Sequence, residues 1–459
     1  MPLSNHVRLA YSEYMLDIHF IRENADVVKL GAQKKKVEVD IDRLLALDEE
    51  RKELRRQMDE KKAEQNRASN TIAQAHGEER EKLLEAMRHV KEGFTALEEK
   101  FNAITEEWTK LMLAVPNIPS PDTPDGKDES ENVVAREWGT KPHFAYTPKP
   151  HWELGEALDI INTEKAGEIS GSRFAYIMGD LALMQFAIVS WVLRSLTTPE
   201  TITDIVTNAG LDISPKPFKA VVPPVMMRAQ VMGRMARLHP IDDRYYFEKD
   251  DLVFIGSAEH TLGPLHMDEI IDEAQMPIRY VGYSTAFRRE AGAAGKDTRG
   301  ILRLHQFDKI EMESFVRPEE GYKEQDFFVA VQEYFMQKLG LPYRVMKICT
   351  GDMGAPDHRQ FDIETWMPGQ DTYRETHTSD YMGGYQARRL NTRVRGDDGE
   401  LSHVHMNDAT VFAIGRILIA IMENYQQEDG SIRVPEVLVP FMGKSVIQHN
   451  AKIMGHTAE

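Results

Sequence analysis

Apolar residues recur at Leu83, Met87, Val90, Phe94, Leu97, Phe101, Ile104, Trp108, Leu111 and Val115, in alternating steps of four and three without a break. That period is the seam of an α-helical coiled coil. A weaker copy runs through Leu44, Leu47, Leu54, Met58, Ala68, Ile72 and Ala75, with Arg51, Lys61 and Gln65 filling intermediate seam positions. Together they predict two antiparallel helices of about 35 residues that turn near His76-Gly77 and project roughly 50 Å. The proline-rich PNIPSPDTPDG after Val115 breaks the second helix. The pattern therefore predicts a unit over 15–115 that contains the hairpin, a linker over 116–139, and one α+β domain over 140–459, where helix and strand signals alternate to the end.

Within the last region, YVGYSTAFRRE (Tyr280 to Glu290) and ILRLHQFDKIEMESFV (Ile301 to Val316) alternate like strands, and AGAAGKDTRG between them is turn material. They predict a hairpin whose second strand carries Arg303, His305, Phe307 and Lys309 on one face. The stretch also holds Arg288, Glu290 and Glu311. A planar guanidinium on a rigid strand suits phosphate, because it makes two charge-assisted hydrogen bonds at once. An aromatic on the same face can stack on a purine. Any one of these arginines alone reads as a surface ion pair; as a set they point to an ATP grip. Gly295-Lys296 is not a P-loop, since Asp297 follows where that motif needs a hydroxyl.

Composition narrows the class. A chain of 459 residues predicts two or three domains. The single cysteine, Cys349, excludes an intramolecular disulfide and suits a reducing compartment. FAIVSWVL (Phe186 to Leu193) is among the longest apolar runs and is far shorter than a membrane span. With no signal-peptide core in the first residues, the expected location is cytoplasmic, with no membrane partner. The net charge of −18 opposes a nucleic-acid partner. Its distribution does not, because Arg51 to Arg67 holds seven basic and four acidic residues. Arg51, Lys52, Arg55, Arg56, Lys61 and Lys62 are the candidate phosphate contacts; the competing reading is a solvated charged rod.

FRREAG, DTRGILR and HQFDKIE resemble motif 2 of class II aminoacyl-tRNA synthetases, in the spelling of the bacterial-type seryl-tRNA synthetases. PHWELGEALDII, GSRFAY, VPPVMM, CTGDMG, DIETWMPGQDTYRE, QARRLNTRVR and ENYQQEDGSIRVPEVLVPFMG resemble the same family in the same order. The likeness runs from Met15 almost to the end, and residues 1–14 read as an N-terminal extension. It implies an α+β fold: an antiparallel coiled-coil arm that grips tRNA, then a class II catalytic domain built on an antiparallel sheet flanked by helices. The helix around Leu181 to Leu196 and the strand KAVVPPVMM, with Pro223 or Pro224, resemble motif 1 and imply a homodimer.

The implied activity is ATP-dependent ligation of L-serine to serine tRNA through a seryl-adenylate. Selenocysteine tRNA as a second substrate is left open. The resemblance assigns Arg288, Arg303 and Arg416 to catalysis. ATP would also meet Arg289, Glu290, Phe307, Glu375, Thr376, His377 and Thr378, with Glu375 and Thr378 holding Mg2+. Serine would meet Ser257, Ala258, Glu259, Arg288, Glu311, Asp408 and Thr410; how Glu259 and Glu311 divide its ammonium and hydroxyl stays open. Relatives usually have Thr-Ala-Glu where this chain has Ser257-Ala258-Glu259, and asparagine where it has Asp408. His403 and His405 lack a third ligand, so no zinc is expected. Two rivals remain: a relative that loads an amino acid onto a carrier protein, and a catalytically silent regulator.

Overall fold

The computed structural model describes residues 17–290, 297 and 299–449. The predicted extension at 1–14 and most of the loop AGAAGKDTRG lie outside the described residues. Two compact units divide between Ile118 and Pro119.

The first unit holds helices α1 (Ile18–Glu23), α2 (Ala25–Lys34), α3 (Ile41–Gln74) and α4 (Gly77–Ala114). Asp40 caps α3 by accepting from the Arg43 amide, which satisfies one of the orphan N–H groups of the first turn. Between α3 and α4 the chain reverses at Ala75-His76, with Gly77 at φ +60°. Each seam position predicted on α4 is buried or half-buried, while most residues between them are exposed. Burial is complete only near the base, at Ile41, Leu44 and Leu47. Arg43 adds a forked ion pair to Glu107 across the hairpin, both contacts at 2.9 Å.

The second unit is built on an eight-stranded sheet of β1 (Val133–Trp138), β2 (Lys219–Val221), β3 (Ile278–Phe287), β4 (Gln306–Val316), β5 (Tyr343–Lys347), β6 (Arg359–Met367), β7 (Thr372–Gly383) and β8 (His405–Ala413). Their order is β1-β5-β6-β7-β8-β4-β3-β2. All neighbours are antiparallel except β2 and β3. Three expectations change. Residues 133–138, read as linker, form the edge strand β1, because VVAREW pairs with β5. KAVVPPVMM is not one strand: it breaks between Val221 and Met226, where prolines lack ladder donors. The strand expected from Ile301 begins at Gln306; Ile301 and Leu304 are instead buried in the core.

One face of the sheet packs on helices α5 (Gly179–Leu196), α6 (Gly321–Leu339) and α7 (Ile414–Asn424). Ile310 and Met312 of β4 and Ala409, Val411 and Phe412 of β8 point into that core with Phe327, Phe335, Ile417 and Ile421. Taken whole, α5 reaches the length and mean hydropathy of a membrane span, 1.2 over 18 residues, although its apolar run is short. Eight of its residues are buried inside the unit, so burial in the protein explains its apolarity. The opposite face of the sheet is charged at its centre.

Candidate active site

The period of two places Phe307, Lys309, Glu311 and Glu313 on the charged face of β4. Cross-strand register sets Glu311 opposite Thr410 of β8 and Glu313 opposite Asp408. On the next strand, Asp380 of β7 pairs with Asp408, and the Thr378 and Thr410 hydroxyls lie 3.2 Å apart. Two rows thus cross three central strands: Glu311, Thr410 and Thr378, then Glu313, Asp408 and Asp380. A cavity of about 530 Å³ lies over them, lined by Arg237, Glu259, Arg288, Glu290, Arg303, Lys309, Asp357, Thr378, Asp380 and Arg416, among others. A smaller pocket of about 90 Å³ shares Arg288, Arg303, Lys309 and Arg416 and adds Phe307, Glu375, Thr376 and Thr410.

The arginines predicted to grip phosphate meet around this space. Just beyond β3, Arg288 donates to the Gly256 carbonyl at 3.1 Å, and its guanidinium lies 5.3 Å from the centre of the Phe307 ring. A Cβ at Gly256 would crowd Arg244 at 3.1 Å and meet Arg288 at an ordinary 3.5 Å. Arg303 is ion-paired with Glu290, which adopts φ +54°, a conformation rare outside glycine and often found at functional sites. Arg416, in the first turn of α7, pairs with the Glu375 carboxylate at 2.9 Å. Burial pulls Glu375 up, but Arg416 and Arg288 outweigh it and hold the carboxylate below its ordinary value.

Ser257, Ala258 and Glu259 cover the other end. Ala258 is fully buried in an apolar cluster against Gly282, whose strand neighbour is Glu311; a Cβ at Gly282 would meet Ala258 at 3.3 Å. Lys309 donates to the Ser257 hydroxyl at 3.1 Å and pairs with Glu311 at 2.6 Å. Oxygens of Glu259, Glu311 and Asp408 lie within 4.8 Å of one another. Burial raises Glu311 despite Lys309. Asp408 is pushed well up by burial and by Glu259 and Asp380, and Glu313 and Asp380 are raised mainly by burial. Glu259 goes the other way: Arg237, 2.9 Å away, overcomes burial and holds it well below the carboxylate range. Burial drops His260 to about 4, leaving it neutral.

Several predicted residues stand elsewhere. Arg289 places its guanidinium 5.0 Å from the Tyr245 ring and lines neither cavity. His377 points to the opposite face of β7, 5.3 Å from the Phe412 ring, and burial lowers it to about 3. Ala258 contributes packing rather than a polar contact. Glu311 and Asp408 lie beneath the floor, almost fully buried. On the arm, Arg51 stacks 3.9 Å over Trp108 and belongs to the seam. Lys52, Arg56 and Lys61 pair with acids on their own helix. Arg55 lies 3.8 Å from Asp59 and is largely exposed, as is Lys62.

Sequence reasoning missed Arg237, Arg244, Glu313, Asp357 and Asp380. KIEMESFV did carry a signal for Glu313: charged residues at every second position of a strand whose alternate residues are apolar. Arg237 and Asp357 lie in irregular segments, where periodicity says nothing.

Residues 245–425 match the model for the tRNA synthetase class II core domain (G, H, P, S and T), and residues 15–119 match the seryl-tRNA synthetase N-terminal domain. The chain is 40% identical to a serine--tRNA ligase of Symbiobacterium thermophilum over 93% of its own length and 98% of that enzyme's. The chain belongs to the seryl-tRNA synthetase family. A solved seryl-tRNA synthetase of this family, from Pyrococcus horikoshii and complexed with ATP, superposes with a TM-score of 0.82 at 34% identity, covering 95% of this chain and all of that one. The cytoplasmic serine-tRNA ligase of Naegleria fowleri in complex with AMP gives a TM-score of 0.79 at 28% identity over the same share of this chain.

Proposed function

We propose that this protein activates L-serine with ATP and transfers it to serine tRNA. The observation that carries the reading is the convergence of Arg288, Arg303 and Arg416 on one cavity whose far end is acidic. ATP fits the cationic end, with the purine against Phe307 and the phosphates among the arginines. The amino acid fits between Arg288 and the Glu259 carboxylate, above the buried Glu311. A serine carboxylate oxygen attacks the α-phosphorus, Arg288 stabilises the charge that builds there, and pyrophosphate leaves toward Arg303 and Arg416. The terminal tRNA hydroxyl then attacks the seryl-adenylate carbonyl and releases AMP.

Glu375 and Thr378 offer a carboxylate and a hydroxyl at the phosphate end, and such oxygens suit a hard cation that keeps several waters. Glu375 is half-exposed to the cavity with one oxygen held by Arg416, so the donor set fits Mg2+. When bound, that ion would neutralise phosphate charge. Ser257 and Lys309 support the pocket by holding Glu311. Thr410, 3.5 Å from Glu311, suits the serine hydroxyl, and Asp408 lies close by. A site built around that hydroxyl rejects alanine, which would leave its polar groups unpaired.

We assign the arm to tRNA. Its ion pairs are exposed and mostly within one helix, where solvent screens them, so phosphates can replace the acids. This role also separates the reading from a carrier-loading relative. A homodimer is supported by large apolar side chains left exposed on α5, Leu183 and Phe186, and by Val222 at 84% exposure. The proposed location is the cytoplasm. The test is acid-gel separation of charged tRNA: serine tRNA should acquire serine, and exchange of pyrophosphate without charging would favour the carrier-loading rival.

A further inference from the structure

The lower row of the cavity floor breaks a rule that the sheet otherwise obeys. Glu313, Asp408 and Asp380 stand abreast on three adjacent strands, and like charges placed opposite each other repel. Buried carboxylates also need hydrogen bonds or counter-charge. Among the described residues no hydrogen-bond donor reaches either oxygen of Glu313 or Asp408, or Oδ1 of Asp380. Glu259, Glu311, Glu313, Asp380 and Asp408 are gathered at this end, each more than nine-tenths buried. Among the described residues the cations beside them are Lys309, engaged with Glu311, Arg237, which is closest to Glu259 and lies 3.8 Å from Asp408, and Arg244, whose field reaches Glu259.

The row is also within reach. Asp380, with 8% of its surface exposed, lines the large cavity together with Asp357, Glu259 and Arg237. The cavity therefore passes Thr378 by one row, about 7 Å along a strand. A serine hydroxyl held at Thr410 stops short of it.

We infer that this chamber receives a cationic side chain, so that the site takes, besides serine, a small α-amino acid bearing a second amino group. The inference rests on the adenylate-forming reading above. The second ammonium stands against Asp380, next to Asp408 in the row, and supplies the charge that the row lacks. The chemistry is unchanged: a carboxylate oxygen bonds to the α-phosphorus of ATP, the bond to the bridging oxygen breaks, and pyrophosphate departs with that electron pair.

The experiment is pyrophosphate exchange into ATP by the full chain with L-serine, L-2,3-diaminopropionate, L-2,4-diaminobutyrate or L-alanine. One of the two diamino acids should support exchange with kcat/KM within about 100-fold of serine, while alanine falls far below. Asp380→Asn should lower the ratio of diamino acid to serine kcat/KM by about tenfold or more. On the unaltered protein, the same diamino acid should inhibit serine exchange competitively, a readout that does not depend on the variant folding. Serine exchange with neither diamino acid used, absence of competitive inhibition, or an unchanged ratio in a folded Asp380→Asn protein would each overturn the inference. Loss of exchange with every amino acid would instead strike the adenylate-forming reading itself, and this inference with it.

Discussion

Arg288 is the residue on which both halves of the proposed reaction depend, because it lines the phosphate pocket and the larger cavity together. Its donation to the Gly256 carbonyl and its contact with Phe307 hold it before substrate arrives, and such preorganisation is what electrostatic catalysis requires. Arg288→Ala should lower serine-dependent exchange by about 10²- to 10³-fold, with an unchanged far-UV CD spectrum. A fall of less than tenfold would place it outside the transition state.

The buried acids fix the sign of a pH effect. Burial raises Glu313, Asp380 and Asp408 above ordinary carboxylates. A carboxyl raised in the folded state stabilises at low pH, and that contribution is lost as pH rises through its shifted value. Glu259 and Glu375 are lowered, so their contribution disappears only as pH falls below the ordinary value of 4.5. His260 and His377, lowered to about 4 and about 3, add stability as pH rises toward their ordinary 6.5, so the raised acids set the sign above that, between about pH 7 and pH 8. The melting temperature should therefore fall across that range without ligands, and less steeply in Glu313→Gln.

The sequence made much of the phosphate end legible at this scale and less of the amino-acid end. Arg288, Arg303, Phe307 and Glu311 lie in one continuous hairpin, where period and composition expose them. Arg237 and Asp357 reach the site from irregular segments, and no local pattern announces such a meeting. His377 and Arg289 stand away from the cavities for another reason: each adjoins a cavity residue, but adjacent residues point to opposite sides of a strand or depart from it at its end.

At the scale of elements, the arm and the sheet follow their hydrophobic patterns closely. The heptad seam of α4 located the hairpin and its turn, because one partner helix leaves only one stripe to bury. The start of β4 was set too early, since Ile301 and Leu304 look strand-like yet are buried by the core. Arg51, expected both at the seam and among the candidate phosphate contacts, is engaged by the seam through Trp108. Arg55 and Lys62 are the better probes. Arg55→Glu with Lys62→Glu should weaken tRNA charging and reduce the salt slope of tRNA binding by about 1 for each lost phosphate contact. Exchange without tRNA should keep its rate; equal loss of both activities would contradict the assignment of the arm.

For the whole molecule, α5 presents its apolar residues in two directions. Leu181, Met184, Ile188 and Trp191 enter the core, while Leu183 and Phe186 remain exposed. The proposed dimer would bury those exposed residues. Sedimentation equilibrium should give twice the chain mass, and Phe186→Asp should shift it toward one chain; an unaltered protein that sediments as a monomer at micromolar concentration would remove the dimer.

The central claim is that one cavity joins ATP to serine. Serine-dependent exchange of labelled pyrophosphate into ATP, measured on the full chain with Mg2+ and without tRNA, tests it most directly. The account predicts exchange that requires serine and is lost in Arg288→Ala. No exchange with serine, from folded protein that binds ATP, would contradict it.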